Sequence, residues 1–292
     1  MMDTLPNPLG GERRTFLWRG HRIAYVVRGT GIPFVFVHSV HAAAWSMEWR
    51  HNLPTLAAHG RCFALDLLGF GASDRPPVHY TAAMYLDLLA DFLRDVVGEP
   101  AVLVGSSLGG TYAIATAAAH PALVRAVCAI GPAGVSRLTT TGGTAGRLVE
   151  SLLRRPVVGA GLFGALVSRA SIRFFLRDIY ANRAALTPDT LQLFWQSAQH
   201  PAARFAPAAF VGMQLNCDIR EALPALTMPV LLAWGEAAVQ TPLREAAVVR
   251  QFTPTAEFAV LPGGDLPHDE HPEAFNRALV RFLTASGVTP RH

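Results

Sequence analysis

Lysine is missing altogether: all 25 Lys-plus-Arg positions are arginine. That removes Schiff-base chemistry and any lysine nucleophile. Charge is scarce as well, with Asp, Glu, Lys and Arg together at 16 % and a net charge of +4. The arginines are scattered or paired (Arg13–Arg14, Arg154–Arg155), with no basic run and no interleaved aromatics, so nucleic acid is not an expected partner. Cysteine is nearly absent. Cys62, Cys128 and Cys217 stand far apart, within or beside apolar segments, without disulfide or metal-ligand spacing. They read as buried thiols in a reducing compartment. No apolar run reaches the ~18 residues that span a bilayer. The opening "MMDTLPNPLGGERR" has an aspartate and prolines where a signal peptide has an apolar core. A cytoplasmic location is the expectation.

What the chain has in quantity is apolar side chains, 51 % of 292 residues, enough to bury a large core. Short β-rich runs punctuate it: "RIAYVVR" (22–28), "PFVFVH" (33–38), "RCFALDL" (61–67), "AVLVGS" (101–106), "RAVCAI" (125–130), "PVLLAWG" (229–235) and "AEFAVLP" (256–262). Several are almost continuously hydrophobic, as strands of a parallel sheet covered on both faces are. Helical patterns lie between them at 81–97, 108–119 and 270–284. The last has Pro272 in its first turn and Gly287 beyond its end, which are helix start and stop signals. Alternation of this kind predicts an α/β class protein with a mostly parallel, doubly wound sheet.

From about Val135 to Pro224 the rhythm breaks. No strand pattern occurs there, only helical segments rich in Ala, Leu and Arg with repeated proline breaks. An interval of that size is too long for a loop and reads as an inserted helical cap. The expected division is a core at 20–134 and 225–287, a cap at 135–224 and an N-terminal extension at 1–19.

The chemistry is signalled by "AVLVGSSLGGTYAIA". Gly105–Ser106–Ser107–Leu108–Gly109 is a G-x-S-x-G that follows a buried strand and opens a helix, the context a nucleophile elbow requires. The glycines allow a tight turn that lifts the Ser107 hydroxyl off the sheet edge, and the helix N-terminus favours developing negative charge.

On this motif the chain resembles the α/β-hydrolase superfamily, in its capped branch of esterases, dehalogenases and C–C hydrolases, over roughly residues 20–285. "PFVFVHSVHAAAWSMEW" looks like the family's oxyanion segment and "RCFALDLLGFGASDRP" like its next strand and glycine-rich turn. "PVLLAWGEAAVQTP" is similar to the acid-bearing loop, and "GGDLPHDEHPEAFNRALVRFL" to the histidine-bearing loop and helix. The resemblance implies the α/β-hydrolase fold, Ser107 as nucleophile, and the backbone N–H groups of Val40 and Leu108 as an oxyanion hole. His38 takes a supporting role in the oxyanion loop. No cofactor is expected.

Three positions depart from the family. Where W-G-x-x-D is usual, Trp234–Gly235–Glu236–Ala237–Ala238 ends in alanine. Where G-H-x-P is usual, Gly264–Asp265–Leu266–Pro267 carries aspartate. The glycine normally following His38 is Ser39. A serine without a base is a poor nucleophile, and losing the triad typically costs about 10⁴–10⁶ in turnover. Asp265, if burial raises its pKa, is a candidate acid/base. His268, three residues on, is a candidate replacement base, with Glu236 or Asp269 to orient it; the bland alternative is a polar residue at a helix start, the reading favoured for His271. Ser106 reads as a small residue accommodated by the elbow. A two-histidine, one-carboxylate metal set can be drawn from His38, His41 and Asp265, but separation in sequence carries no geometry, and no metal is expected.

Three functions remain open: a serine hydrolase of esterase type with an atypical or impaired triad, a lyase, isomerase or cyclase using Asp265, and a non-catalytic ligand-binding protein. The first is preferred. The cap segments "GAGLFGALV" and "IRFFL" point to a small apolar substrate or ligand. The same apolar patch, flanked by arginines, also raises contact with a membrane surface as a weaker expectation. Oligomeric state is not legible.

Overall fold

The computed structural model describes residues 5–288. The first four residues of the expected N-terminal extension therefore lie outside the described residues. Strands β1 (Glu12–Trp18), β2 (His21–Arg28), β3 (Pro33–Val37), β4 (Arg61–Leu65), β5 (Ala101–Ser106), β6 (Val124–Ile130), β7 (Val230–Gly235) and β8 (Glu257–Leu261) form one sheet in the order β1-β2-β4-β3-β5-β6-β7-β8. β1 pairs β2 and β2 pairs β4 antiparallel; from β4 to β8 every neighbour is parallel. The segment 12–18, read from sequence as part of an extension, is thus the first edge strand. Its outward residues are mostly polar and exposed, which is why it lacks the apolar signature of the others.

The helices are α1 (Leu53–Leu56), α2 (Ala82–Phe92), α3 (Leu108–Ala119), α4 (Gly143–Arg154), α5 (Val158–Leu166), α6 (Arg169–Ile179), α7 (Pro188–Ala198), α8 (Phe205–Val211), α9 (Arg244–Phe252), α10 (Pro267–Glu270) and α11 (Pro272–Ala285). Two apolar layers sandwich the sheet. One face packs Val35, Leu103 and Val127 against α2 and α3 residues such as Leu88 and Tyr112. The other packs Phe34, Val102 and Leu231 against Trp49 and the α11 residues Phe275, Leu279 and Phe282. Central strands buried on both faces need apolar residues at every position, and β3 and β5 are buried throughout.

Helices α4 to α8 intervene between β6 and β7 without a strand. A third apolar cluster joins their residues Phe163, Leu176, Tyr180 and Phe194 to Ala43, Trp45 and Met47 of the loop after β3. The Trp45 indole N–H donates to the Leu193 carbonyl at 3.2 Å, and Arg50 donates to the Thr190 hydroxyl at 3.2 Å. The insertion is therefore seated on the loops at the carboxyl ends of the strands. Among the described residues no single helix is long and apolar enough to cross a membrane.

Candidate active site

Register places the site. Val37 stands opposite Gly105, so the chain after β3 and the chain after β5 leave the sheet side by side. Ser107 follows at once, with φ 53° and ψ −122°, and its N–H donates to the Ile130 carbonyl at 2.8 Å. A left-handed serine of this kind costs about 1–3 kcal/mol and persists only when its surroundings over-determine it. They do. A Cβ on Gly105 would lie 2.4 Å from the Gly109 carbonyl oxygen, and one on Gly109 would lie 2.3 Å from that of His38. Both motif glycines are thus forced by close approach of α3 to the sheet and to the oxyanion loop.

The N–H groups of Val40 and Leu108 make no hydrogen bond among the described residues, and the Ser107 hydroxyl likewise has no partner there. Ser106 is fully buried beneath the elbow, its hydroxyl unpaired.

The loop bearing Val40 is held from behind. His38 accepts the Leu67 N–H at its Nε2 (3.1 Å), and its Nδ1 lies 2.6 Å from the Ser39 carbonyl oxygen, which assigns the proton to Nδ1. Ser39 donates twice to the Glu48 carboxylate, from its N–H at 2.9 Å and its hydroxyl at 2.7 Å. Glu48 is fully buried and lies 3.6 Å from His268 Nε2. Burial pushes the Glu48 carboxyl up, but His268, His38 and Ser39 outweigh it and hold it below its ordinary value. Ser39 thus ties the loop after β3 to this carboxylate. Sequence reasoning missed Glu48; the available signal was a lone acid between two tryptophans in "WSMEW", which must be paired if it is buried.

His268 is completely buried, its ring 4.2 Å from that of Trp49 and 5.9 Å from that of Phe275. Its polar neighbour is Glu48, and no contact with Ser107 occurs. Asp269, next to it, is the centre of a separate network. Arg50 Nη1 lies 2.9 Å from its Oδ1, and the Tyr180 hydroxyl donates to its Oδ2. This ties the end of α6 to the core.

Asp265 sits in the loop before α10 with its N–H donated to the Ile179 carbonyl at 2.8 Å. Its carboxylate accepts three backbone N–H groups, from Val239 (3.0 Å), Gln240 (2.9 Å) and Thr241 (3.2 Å). Burial raises its pKa, partly offset by those three donors. As placed, Asp265 anchors the loop after β7, the loop that carries Ala238. Glu236 is exposed on that same loop, with its N–H bonded to Leu261 and its carboxylate free of hydrogen bonds among the described residues.

His41 occupies the oxyanion loop one residue past Val40. Its ring lies against Phe175 and Phe194 of the insertion, at 5.3 and 5.7 Å. Its Nδ1 accepts the Ala43 N–H, while its Nε2 is buried and unpaired. Burial drives its pKa down to about 4 despite Glu48 nearby, so the ring is neutral at pH 7. Among the described residues no three His, Cys, Asp or Glu side chains converge on a common point as metal ligands, and His38, His41 and Asp265 do not form such a set.

Comparison with known proteins agrees with this architecture. Residues 34–278 match the Alpha/beta hydrolase family. A 2-hydroxymuconate semialdehyde hydrolase of Pseudomonas putida is 28 % identical over 279 residues, 92 % of this chain and 93 % of that protein. A 2-(acetamidomethylene)succinate hydrolase of Mesorhizobium japonicum is 27 % identical over 266 residues, 88 % of this chain and 90 % of that protein. Among solved structures, a serine hydrolase involved in carbazole degradation superposes with a TM-score of 0.78 at 23 % identity, covering 94 % of this chain and 99 % of its own. The elbow and the sheet that carries it, with the family match across most of the length, place this chain in the alpha/beta hydrolase family.

Proposed function

We propose that the protein is an esterase-like serine hydrolase for a small apolar carbonyl compound, working with an impaired triad. One observation carries this reading: Ser107 is held in a strained elbow beside two unbonded N–H groups, those of Val40 and Leu108. The Ser107 oxygen would attack the carbonyl carbon while the carbonyl oxygen, gaining charge, accepts those N–H groups. The serine proton would leave to water, since Asp265 and His268 are engaged elsewhere. Turnover is then slow, by about 10⁴–10⁶ relative to an intact triad. Activated esters, whose leaving groups need no proton, are the best substrates. The two relatives above are named for a semialdehyde and a succinate derivative, which supports a carbonyl substrate but not its being apolar, since both named compounds carry carboxylates.

A fluorophosphonate probe tests the reading directly. Slow labelling confined to Ser107, and lost in Ser107→Ala, is the expected result. No labelling of the folded protein sinks it. The saturated Asp265 carboxylate favours a second reading, a ligand-binding protein without turnover. In that case an apolar ketone would raise the thermal midpoint equally in wild type and Ser107→Ala, with no product formed.

A further inference from the structure

Helix α5 reads VGAGLFGAL and has no polar side chain, yet only Gly159 and Phe163 of its residues are buried. Leu162 and Leu166 on its outer face are 49 % and 46 % exposed, and Val157 just before it is 84 % exposed. The helices on either side extend the same surface: Leu148 and Leu152 of α4 are 74 % and 46 % exposed, and Phe174 of α6 is 80 % exposed. A Cβ added at Gly161 or Gly164 would meet nothing within 4 Å, so among the described residues nothing covers these two positions. Contiguous exposed apolar surface of this extent marks an interaction site.

The charge around it is mostly of one sign, the exposed exception being Asp178 near the end of α6. Arg147, Arg155, Arg169, Arg173 and Arg177 are exposed on the same three helices. Between residues 141 and 177 the single acid is Glu150, which is buried and paired with Arg154 at 3.1 Å. A second copy is a poor fit for such a face. Two-fold pairing would set five arginines of each copy mainly against arginines, with Asp178 the one exposed acid of these helices to offset them. A surface that is apolar within and anionic at its rim fits both features.

We infer that the α4–α5–α6 face docks on an anionic lipid bilayer, with α5 lying in the interface and the arginines on lipid phosphates. Helices α5 and α6 meet at 52°, and Ile172, Leu176 and Ile179 of α6 are packed into the third apolar cluster, which favours the pair resting on a membrane over crossing it. Arginine suits the rim because its long apolar stem follows the buried surface while its head reaches phosphate. This inference is independent of whether Ser107 turns over.

The test is co-sedimentation with vesicles of phosphatidylcholine alone and with about 30 % phosphatidylserine, at low and high salt. The wild type should bind the anionic vesicles, release at high salt, and bind neutral vesicles far more weakly. Leu162→Asp and Phe174→Asp should each cut binding by about tenfold or more. Arg147→Gln, Arg155→Gln and Arg173→Gln should each cut it by about fivefold. All five positions are exposed, so circular dichroism and thermal midpoints should stay at wild-type values. Absence of vesicle binding, equal binding to neutral and anionic vesicles, or indifference to the arginine variants would overturn the inference. Self-association in sedimentation that Leu162→Asp abolishes, with no vesicle binding, would assign the face to a second copy instead.

Discussion

The Asp265 carboxylate accepts the backbone N–H of Gln240 at 2.9 Å, across the two loops that in the family carry the catalytic histidine and acid. In an intact triad those loops are joined by a side-chain contact between base and acid. Here the side-chain join is anion to backbone, beside the backbone bond from the Ala237 N–H to the Gly263 carbonyl at 3.0 Å. As placed, Asp265 acts as a clamp between the two loops.

Removing the clamp should cost stability and little else. Asp265→Ala leaves three N–H donors, but Val239 and Gln240 are exposed and can bond to water, while Thr241 is less accessible. The expected loss is about 1–2 kcal/mol in urea unfolding. Esterase activity, however low, should stay within about twofold of wild type. A collapse of activity with stability unchanged would return Asp265 to the chemistry.

Rebuilding the relay is the complementary experiment. Ala238→Asp with Asp265→His should raise hydrolysis of p-nitrophenyl acetate by about 100-fold or more, since a positioned base typically contributes about 10²–10⁴. Either substitution alone should gain far less, and Asp265→His alone should destabilise through loss of the loop clamp. If the folded double variant gains nothing, Ser107 is misplaced for attack and the ligand-binding reading stands.

The fold was legible because its signals are local. Runs such as "AVLVGS" and "PVLLAWG" are continuously apolar because β5 and β7 are buried on both faces, and a spacing of several strands and helices follows from that alone. β1 was not legible, since an exposed edge strand is under no such demand. In the site, Ser107 and its glycines were readable because the elbow's steric limits act within five residues. Asp265 was readable as a departure and His268 as a candidate replacement base, but their partners were not. Asp265 meets residues 24 to 26 positions away, and His268 meets Glu48 from the other end of the chain. Contacts of that range leave no spacing for a sequence to display.

The Glu48 network should govern acid stability. Its carboxyl is held below the ordinary value, so its contribution is present above about pH 4.3, the unfolded pKa, and is lost as pH falls through the folded one. Glu48→Gln should destabilise by about 3 kcal/mol at pH 7, because it removes one partner from a buried charged network. It should also flatten the loss of stability below about pH 4.3. Ser39→Gly removes only the hydroxyl bond and should cost about 1 kcal/mol. Equal acid midpoints for wild type and Glu48→Gln would show that another carboxylate sets the limit.

His41 should make itself felt at milder pH. Its folded pKa is about 4, against about 6.5 when unfolded. Above pH 6.5 neither state is protonated and the group is silent. Between those values the unfolded chain takes up a proton that the buried ring refuses, so stability falls as pH falls. The slope approaches about 1.4 kcal/mol per pH unit, and the loss between pH 7 and pH 5 is about 2 kcal/mol. His51 and His200 are also shifted down by burial and act in the same direction, so the informative quantity is the difference between wild type and variant. His41→Phe keeps a ring against Phe175 and Phe194 and should lose about 2 kcal/mol less than wild type between those two pH values, measured by urea unfolding at each. Identical losses in both proteins would mean that His41 takes its proton in the folded state, which requires a partner for Nε2 beneath the insertion.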